Sequence, residues 1–287
     1  MPEPLYNPIR VMVKGASTVN WTSMMGGPRS DFAFPRALES EILATGRPAV
    51  VHTISRPSEL TSKTLLDWEY EFLGASPDVV ILVYGHYETI HLFLPRWLER
   101  HANSLKVRPR RITTLYRKVL LRPLWMSLAQ LQAFADRHVS PTIRKSRPRK
   151  VAADLAMLIK QLQKLQSPLV LVFEIQPPAS RGRKWFPGMT ARMAVMNASI
   201  AAMVQAQDKP NVRVFRTTEL VEKYAGGDLD VATPDGFHFS PLMHAAIGRA
   251  LADEILQWAQ TQPHLSRPAA GGLPLRDQLV DEVDQAG

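Results

Sequence analysis

Five short apolar runs, each followed by a segment of helical period, constrain this chain more than any other feature. Residues 9–14, 49–54, 78–84, 168–175 and 211–215 read as strands, and the middle three are almost continuously apolar. That is the pattern of strands covered on both faces. Residues 34–45, 61–73, 151–165, 192–207 and 241–258 carry helical periodicity instead. In the third of these, Leu155, Leu158, Ile159, Leu162 and Leu165 form one stripe. Ser240 is placed to cap the last helix, with Pro241 at its first position. Alternation of strand and helix predicts an α/β protein, a three-layer α/β/α sandwich around a five-stranded parallel sheet. The 45% of hydrophobic residues suffices for such a core.

One interval breaks the rhythm. Residues 86–149 separate the third and fourth strands by far more than a crossover needs. We expect a helical insertion after the third strand, residues 89–150, in a single domain spanning 1–262, with a mobile tail at 263–287. The insertion contains the stretch 92–98, a basic run at 106–111, an amphipathic helix at 112–134 and a Pro- and Arg-rich linker at 140–150. Residues 96–150 hold 15 Lys or Arg against two acids, Glu99 and Asp136, whereas the rest of the chain has 20 against 24. The net charge of +9 therefore belongs to one segment. Phe93, Trp97, Leu115, Tyr116, Leu120, Leu121, Leu124 and Trp125 interleave with Arg117, Lys118 and Arg122. A cap over the active site, a subunit contact and an anionic membrane surface met by residues 96–150 all fit this mixture. The charge would also suit phosphates, but no nucleic-acid motif is visible, so nucleic acid is not an expected partner.

There is no cysteine, which excludes disulfides and thiolate metal sites. The eight histidines show no ligand spacing and no Gly-rich phosphate loop follows a strand, so neither metal nor cofactor is expected. The opening MPEPLYNPIR lacks the apolar run of a secretory signal, and no stretch approaches the roughly 20 apolar residues of a membrane span. A soluble cytoplasmic protein is expected, peripheral at the inner membrane face if the insertion engages lipid.

Two stretches carry chemistry. Ser17 follows Gly15-Ala16 at the carboxyl end of the first strand, where open α/β sheets bind ligands. Asp235-Gly236-Phe237-His238 sets a carboxylate and an imidazole three residues apart. Each has a plainer reading, a helix cap for Ser17 and a solvated turn for the second stretch. Together they make a nucleophile, a base and an orienter: imidazole takes the hydroxyl proton, and the carboxylate fixes its tautomer and stabilises the imidazolium.

With these blocks the chain resembles the SGNH, or GDSL-type, hydrolase and acyltransferase superfamily. Gly15-Ala16-Ser17 is similar to the family's Gly-Asp-Ser, Phe34-Pro35-Arg36-Ala37-Leu38 to the helix start that follows, and Asp235-x-x-His238 before Ser240-Pro241 to its last block. Asn197 resembles an asparagine of the helix after the fourth strand. The resemblance implies a flavodoxin-like SGNH fold with catalytic Ser17, Asp235 and His238. The second and third blocks diverge. Arg56-Pro57 stands near the usual glycine, and Gly85-His86-Tyr87-Glu88 puts Tyr87 where the oxyanion asparagine would be. Loss of one such donor typically costs about 100- to 1,000-fold in rate. Candidate oxyanion donors are the Ser17 N–H, the Tyr87 hydroxyl, the Asn20 amide and the Arg56 guanidinium. Candidate pocket residues are Gly85, His86, Glu88 and Met24, although a hydrogen-bonded loop pair is the plainer role for His86 and Glu88. The implied activity is that of a serine esterase or O-acyltransferase acting on a small-molecule, lipid or glycan ester. The alternative is a catalytically impaired relative that binds an acylated ligand, a lipid surface or a partner protein. The oligomeric state stays open.

Overall fold

A computed structural model of the chain describes residues 7–23, 27–90, 98, 101, 111–139 and 146–266. Five strands form one parallel sheet: β1 (Ile9–Gly15), β2 (Ala49–Ser55), β3 (Val79–Val83), β4 (Leu169–Phe173) and β5 (Val212–Phe215). Their order across the sheet is β2-β1-β3-β4-β5. β1 pairs with β2 from Ile9↔Ala49 to Gly15↔Ser55 and with β3 from Val11↔Val79 to Gly15↔Val83. The connection out of β1 runs to one side of it, and the chain then returns to β3 on the other. The crevice between β1 and β3 at their carboxyl ends is thus the topological switch point.

Side chains alternate across the pleat, so each inner strand feeds two cores. Ile9, Val11 and Val13, with Val79, Ile81, Leu169 and Leu171, pack against α1 (Phe34–Ala44) and α11 (Pro241–Ala259). Met12, Val80, Leu82, Val170 and Val172 pack on the opposite face. There they meet α6 (Ser146–Leu162), α8 (Met189–Gln207) and Phe72, which follows α2 (Thr61–Trp68). Burial of each large aliphatic side chain contributes about 1.5–3 kcal/mol. The result is the three-layer sandwich expected from the strand and helix periods.

The remaining helices are α3 (His86–Ile90), α4 (Arg111–Tyr116), α5 (Arg122–His138), α7 (Ser180–Trp185), α9 (Thr217–Ala225), α10 (Leu229–Ala232) and α12 (Pro263–Ser266). The expected helix over 112–134 is longer and not uniform: α4 passes into a π turn, Arg117–Leu121, and then α5. Pro123 explains the wide turn, because it has no N–H to give the preceding turn and its ring crowds the carbonyl four residues back. The expected linker ends early, since Ser146 to Lys150 already belong to α6. Pro148 falls in its first turn, where a missing N–H costs nothing. The chain also stays packed beyond the expected boundary near residue 262. Leu265 is buried, and its carbonyl accepts a bond from Arg47 Nη2 at 2.6 Å. Residues 92–97, most of the basic run at 106–111, and the tail from 267 lie outside the described residues. Among the described residues no helix is long and apolar enough to cross a membrane.

Candidate active site

Ser17 opens a short 3-10 turn, Ser17–Val19, directly after β1. Gly15 permits the turn: a Cβ there would come within 2.7 Å of the Val83 carbonyl oxygen and of Val19. The end of β2 braces it, Ser55 Oγ donating to the Ala16 carbonyl at 2.8 Å and Arg56 N–H to the Gly15 carbonyl at 3.2 Å. Beneath it, Lys14 is wholly buried, with Nζ 3.0 Å from Glu59 and 2.8 Å from Glu71.

Asp235 and His238 lie on the loop between α10 and α11. Gly236 turns the chain with φ of +99°, and a Cβ there would meet Gly182 N at 2.5 Å. Asp235 Oδ1 accepts the backbone N–H groups of Phe237 and His238 at 2.9 and 2.8 Å, and its Oδ2 lies 2.7 Å from His238 Nδ1. The ring's Nε2 lies 3.0 Å from Ser17 Oγ. Burial alone would raise the Asp235 carboxyl, but bonds from the His238 ring and the two N–H groups outweigh it and hold the carboxyl well below its usual range. An ionised Asp235 can only accept, so Nδ1 carries the proton and Nε2 is left to accept from the hydroxyl. The structure thus brings together residues 221 positions apart as hydroxyl, imidazole and carboxylate in one hydrogen-bonded line.

Two supports of this line have no sequence motif. Trp21 stacks on the His238 ring at 5.5 Å between centroids. Ser23 Oγ donates to the His238 carbonyl at 2.6 Å and accepts from Asp235 N–H at 3.4 Å. Trp21–Thr22 pairs antiparallel with Gly27–Pro28, and buried His244 fixes that ribbon from below. His244 Nδ1 accepts from the first N–H of α1 at 3.0 Å, and Nε2 donates to the Trp21 carbonyl at 3.3 Å. Burial lowers its pKa to about 4, which keeps it neutral in these roles. The closeness of Trp21 and Ser23 to Ser17 in the chain is the one signal that could have pointed to them.

The other predicted site residues divide. The Ser17 N–H and the Asn20 side-chain amide have no hydrogen-bond partner among the described residues. Arg56 Nη1 is directed to Glu59, Asp67 and Glu71 at 3.4, 3.2 and 3.2 Å, an ion cluster shared with Lys14. Glu88 is a buried brace whose Oε2 accepts from Gly85 N–H at 3.1 Å and whose Oε1 accepts from Thr61 N–H at 3.0 Å, at the start of α2. Burial raises its carboxyl pKa. Tyr87 is half-buried on α3. Asn197 grips the exit of β4, its amide exchanging two bonds of 2.8 Å with the N–H and carbonyl of Ile175. Met24 lies outside the described residues. Among those residues no group of three or more His, Asp or Glu could hold a metal ion.

His86 stands edge-on to Phe237, and its Nε2 is sealed from solvent without a partner. Burial first, and repulsion from His238 second, lower its pKa to about 3, so the ring stays neutral. It lines a cavity of about 20 Å³ with Thr18, Gln176 and Phe239. Thr18 Oγ1 and Gln176 Oε1 are likewise buried without partners. The amide orientation of Gln176 follows from its neighbour. Thr217 Oγ1 gives its proton to the Glu174 carbonyl at 2.9 Å, so it must accept from Gln176 Nε2, and Oε1 is the atom left over.

No family model matches the chain, and no curated protein matches it in sequence. In three dimensions it is similar to a lipase/acylhydrolase from Enterococcus faecalis, at 17% identity and a TM-score of 0.56, over 87% of this chain and 96% of that one. It is similar to the native aryl esterase of M. smegmatis, at 16% identity and a TM-score of 0.54, over 86% and 98%. It is also similar to a catalytic mutant of an acetylxylan esterase from Geobacillus stearothermophilus, at 11% identity and a TM-score of 0.53, over 87% and 95%. At these identities the likeness is one of architecture: the chain has the SGNH hydrolase fold.

Proposed function

We propose that the chain cleaves or transfers the acyl group of an ester through an acyl-enzyme on Ser17, with His238 as base and Asp235 as its orienter. The observation that carries this reading is the line from Ser17 Oγ to His238 Nε2 at 3.0 Å and from His238 Nδ1 to Asp235 Oδ2 at 2.7 Å. As Oγ attacks the ester carbonyl, its proton passes to Nε2. The imidazolium then gives that proton to the departing alkoxide, and an acyl group remains on Ser17. Water, or the hydroxyl of a sugar or lipid, repeats the sequence in reverse, with its own proton taken by His238. Water as acceptor makes the chain an esterase; another hydroxyl makes it an O-acyltransferase. The acylhydrolase and esterases of like fold support the ester as substrate class.

The developing oxyanion meets the unpartnered Ser17 N–H first, with the Asn20 amide and the Tyr87 hydroxyl as further donors. Arg56 is the weakest of the four candidates, because its guanidinium already serves three carboxylates. A fluorophosphonate probe tests the reading directly. The native chain is expected to label covalently and Ser17→Ala to lose all label. A native chain that stays unlabelled under conditions where a control serine hydrolase reacts would leave only a ligand-binding role for this site.

A further inference from the structure

We infer that the rod formed by α4, the π turn and α5 is a docking surface for an anionic lipid bilayer. Ile112, Leu115, Tyr116, Val119 and Leu120 fall at i, i+3, i+4, i+7 and i+8, the spacing by which a helix normally buries its apolar stripe. Here the stripe faces outward: Ile112 is 81% and Leu115 63% exposed, and the other three are exposed as well. The opposite side holds the rod to the body. Leu121 packs with Leu98, Trp125 and Leu128, and Gln132 Nε2 donates to the Ile90 carbonyl at 2.6 Å. Exposed Lys118, Arg122 and Arg137 lie on the same rod. Its lone acid, Asp136, is buried against Arg192 at 2.6 Å and does not offset them.

A second observation comes from the far end of the rod. A groove of about 260 Å³ separates α5 from α7, with Phe134, Arg137, His138, Lys184 and Trp185 in its walls. Phe134 and Trp185 are exposed, so aromatic rings and cations share one rim. This is the composition that headgroup level favours, rings toward the acyl boundary and cations toward phosphate. The groove is tied to the candidate active site through α7: a Cβ on Gly182 would lie 2.9 Å from the Gly236 carbonyl oxygen in the Asp235–His238 loop.

The charge selects among occupants. A second copy of the chain would set these cations against themselves across a two-fold axis. Nucleic acid would use the cations and leave the apolar stripe in water. An anionic bilayer uses both.

The test is vesicle flotation of the full chain. It is run on the native protein and on Ser17→Ala, because the inference does not depend on chemistry at Ser17. Vesicles of phosphatidylcholine and phosphatidylglycerol in equal parts should carry the chain at low salt. Pure phosphatidylcholine, or high salt, should reduce binding at least about tenfold. Leu115→Ser with Leu120→Ser should reduce it by a similar factor, and so should Lys118→Glu with Arg122→Glu. Because the chain has no cysteine, a single Val119→Cys carrying an environment-sensitive dye gives a readout without destabilising pairs. Its emission should shift to the blue on anionic vesicles, while the same dye at Tyr70→Cys, on a residue 93% exposed and outside the rod, should not shift. Absence of flotation overturns the inference. So does flotation unaffected by the serine pair with no shift at position 119, or binding of single-stranded RNA in place of vesicles.

Discussion

At the scale of single residues, the weight falls on Asp235. Its two oxygens accept three hydrogen bonds, two from its own loop and one from the ring that faces Ser17. The loop therefore closes on itself and aims the imidazole with the same carboxylate. Asp235→Asn separates these duties. An amide can keep one oxygen on the loop N–H groups, but its NH2 then faces Nδ1 and forces the proton onto Nε2. That nitrogen can no longer accept from Ser17 Oγ. We expect kcat for an acetate ester to fall about 10³- to 10⁴-fold, with little change in KM and the melting temperature largely kept. Stopped-assay kinetics on the purified variant measures this. A loss below about tenfold would mean that His238 does not need an anionic orienter, and the base would have to be assigned elsewhere.

At the scale of elements, β1 shows what can and cannot be read from a sequence. Its apolar residues announce a buried strand, because both faces of an inner parallel strand are covered. Lys14 sits in that strand wholly buried, and nothing near it in the chain says how. Its partners, Glu59 and Glu71, come from the loop after β2 and the π turn after α2. The same holds at the site. Ser17, Asp235 and His238 are legible because a serine turn after the first strand and an Asp-x-x-His block before a capped helix are local sequence patterns. Trp21, Ser23 and His244 are not, because their roles arise only when the ribbon after β1 closes over the last loop. Arg56 was legible as a cation of the right position, and its commitment to an acidic cluster was not. Lys14→Met tests the cluster. It leaves Glu59 and Glu71 with Arg56, whose side chain is 51% exposed, as the remaining cation. Breaking a buried pair from one side commonly costs about 3–5 kcal/mol. We expect about 3 kcal/mol here, read as a lower urea midpoint with an unchanged slope. A loss under about 1 kcal/mol would show that Arg56 neutralises both carboxylates unaided.

At the scale of the whole molecule, closing the last loop onto the first strand seals histidines that the unfolded chain exposes. His244 is buried between α1, α11 and the Trp21 ribbon, and the Nε2 of His86 is shut from solvent against the sheet edge. Both have folded pKa values pushed down, His244 to about 4 and His86 to about 3, against about 6.5 when unfolded. The sign follows. Below about pH 6.5 the unfolded chain takes up protons that the folded chain refuses, so acid favours unfolding, by up to about 1.4 kcal/mol per pH unit for each histidine. Above about pH 6.5 neither form binds the proton, and this contribution is complete and flat. The loss stops growing only where the folded ring itself protonates, near pH 4 for His244. Glu88 works against the trend, since its raised pKa lets the folded chain hold a proton better than the unfolded one above about pH 4.5. Two histidines outweigh one carboxyl, so the melting temperature should still fall from about pH 6.5 downward. His244→Gln isolates one of the two histidine contributions. Glutamine can accept from the Phe34 N–H and donate to the Trp21 carbonyl, yet it does not titrate. The variant is expected to melt lower than the native chain near pH 7.5, through lost packing, and to lose less on going to pH 5. The two curves of melting temperature against pH should converge. If they run parallel across that span, His244 takes no part in acid unfolding, and the slope belongs to His86 and the carboxylates.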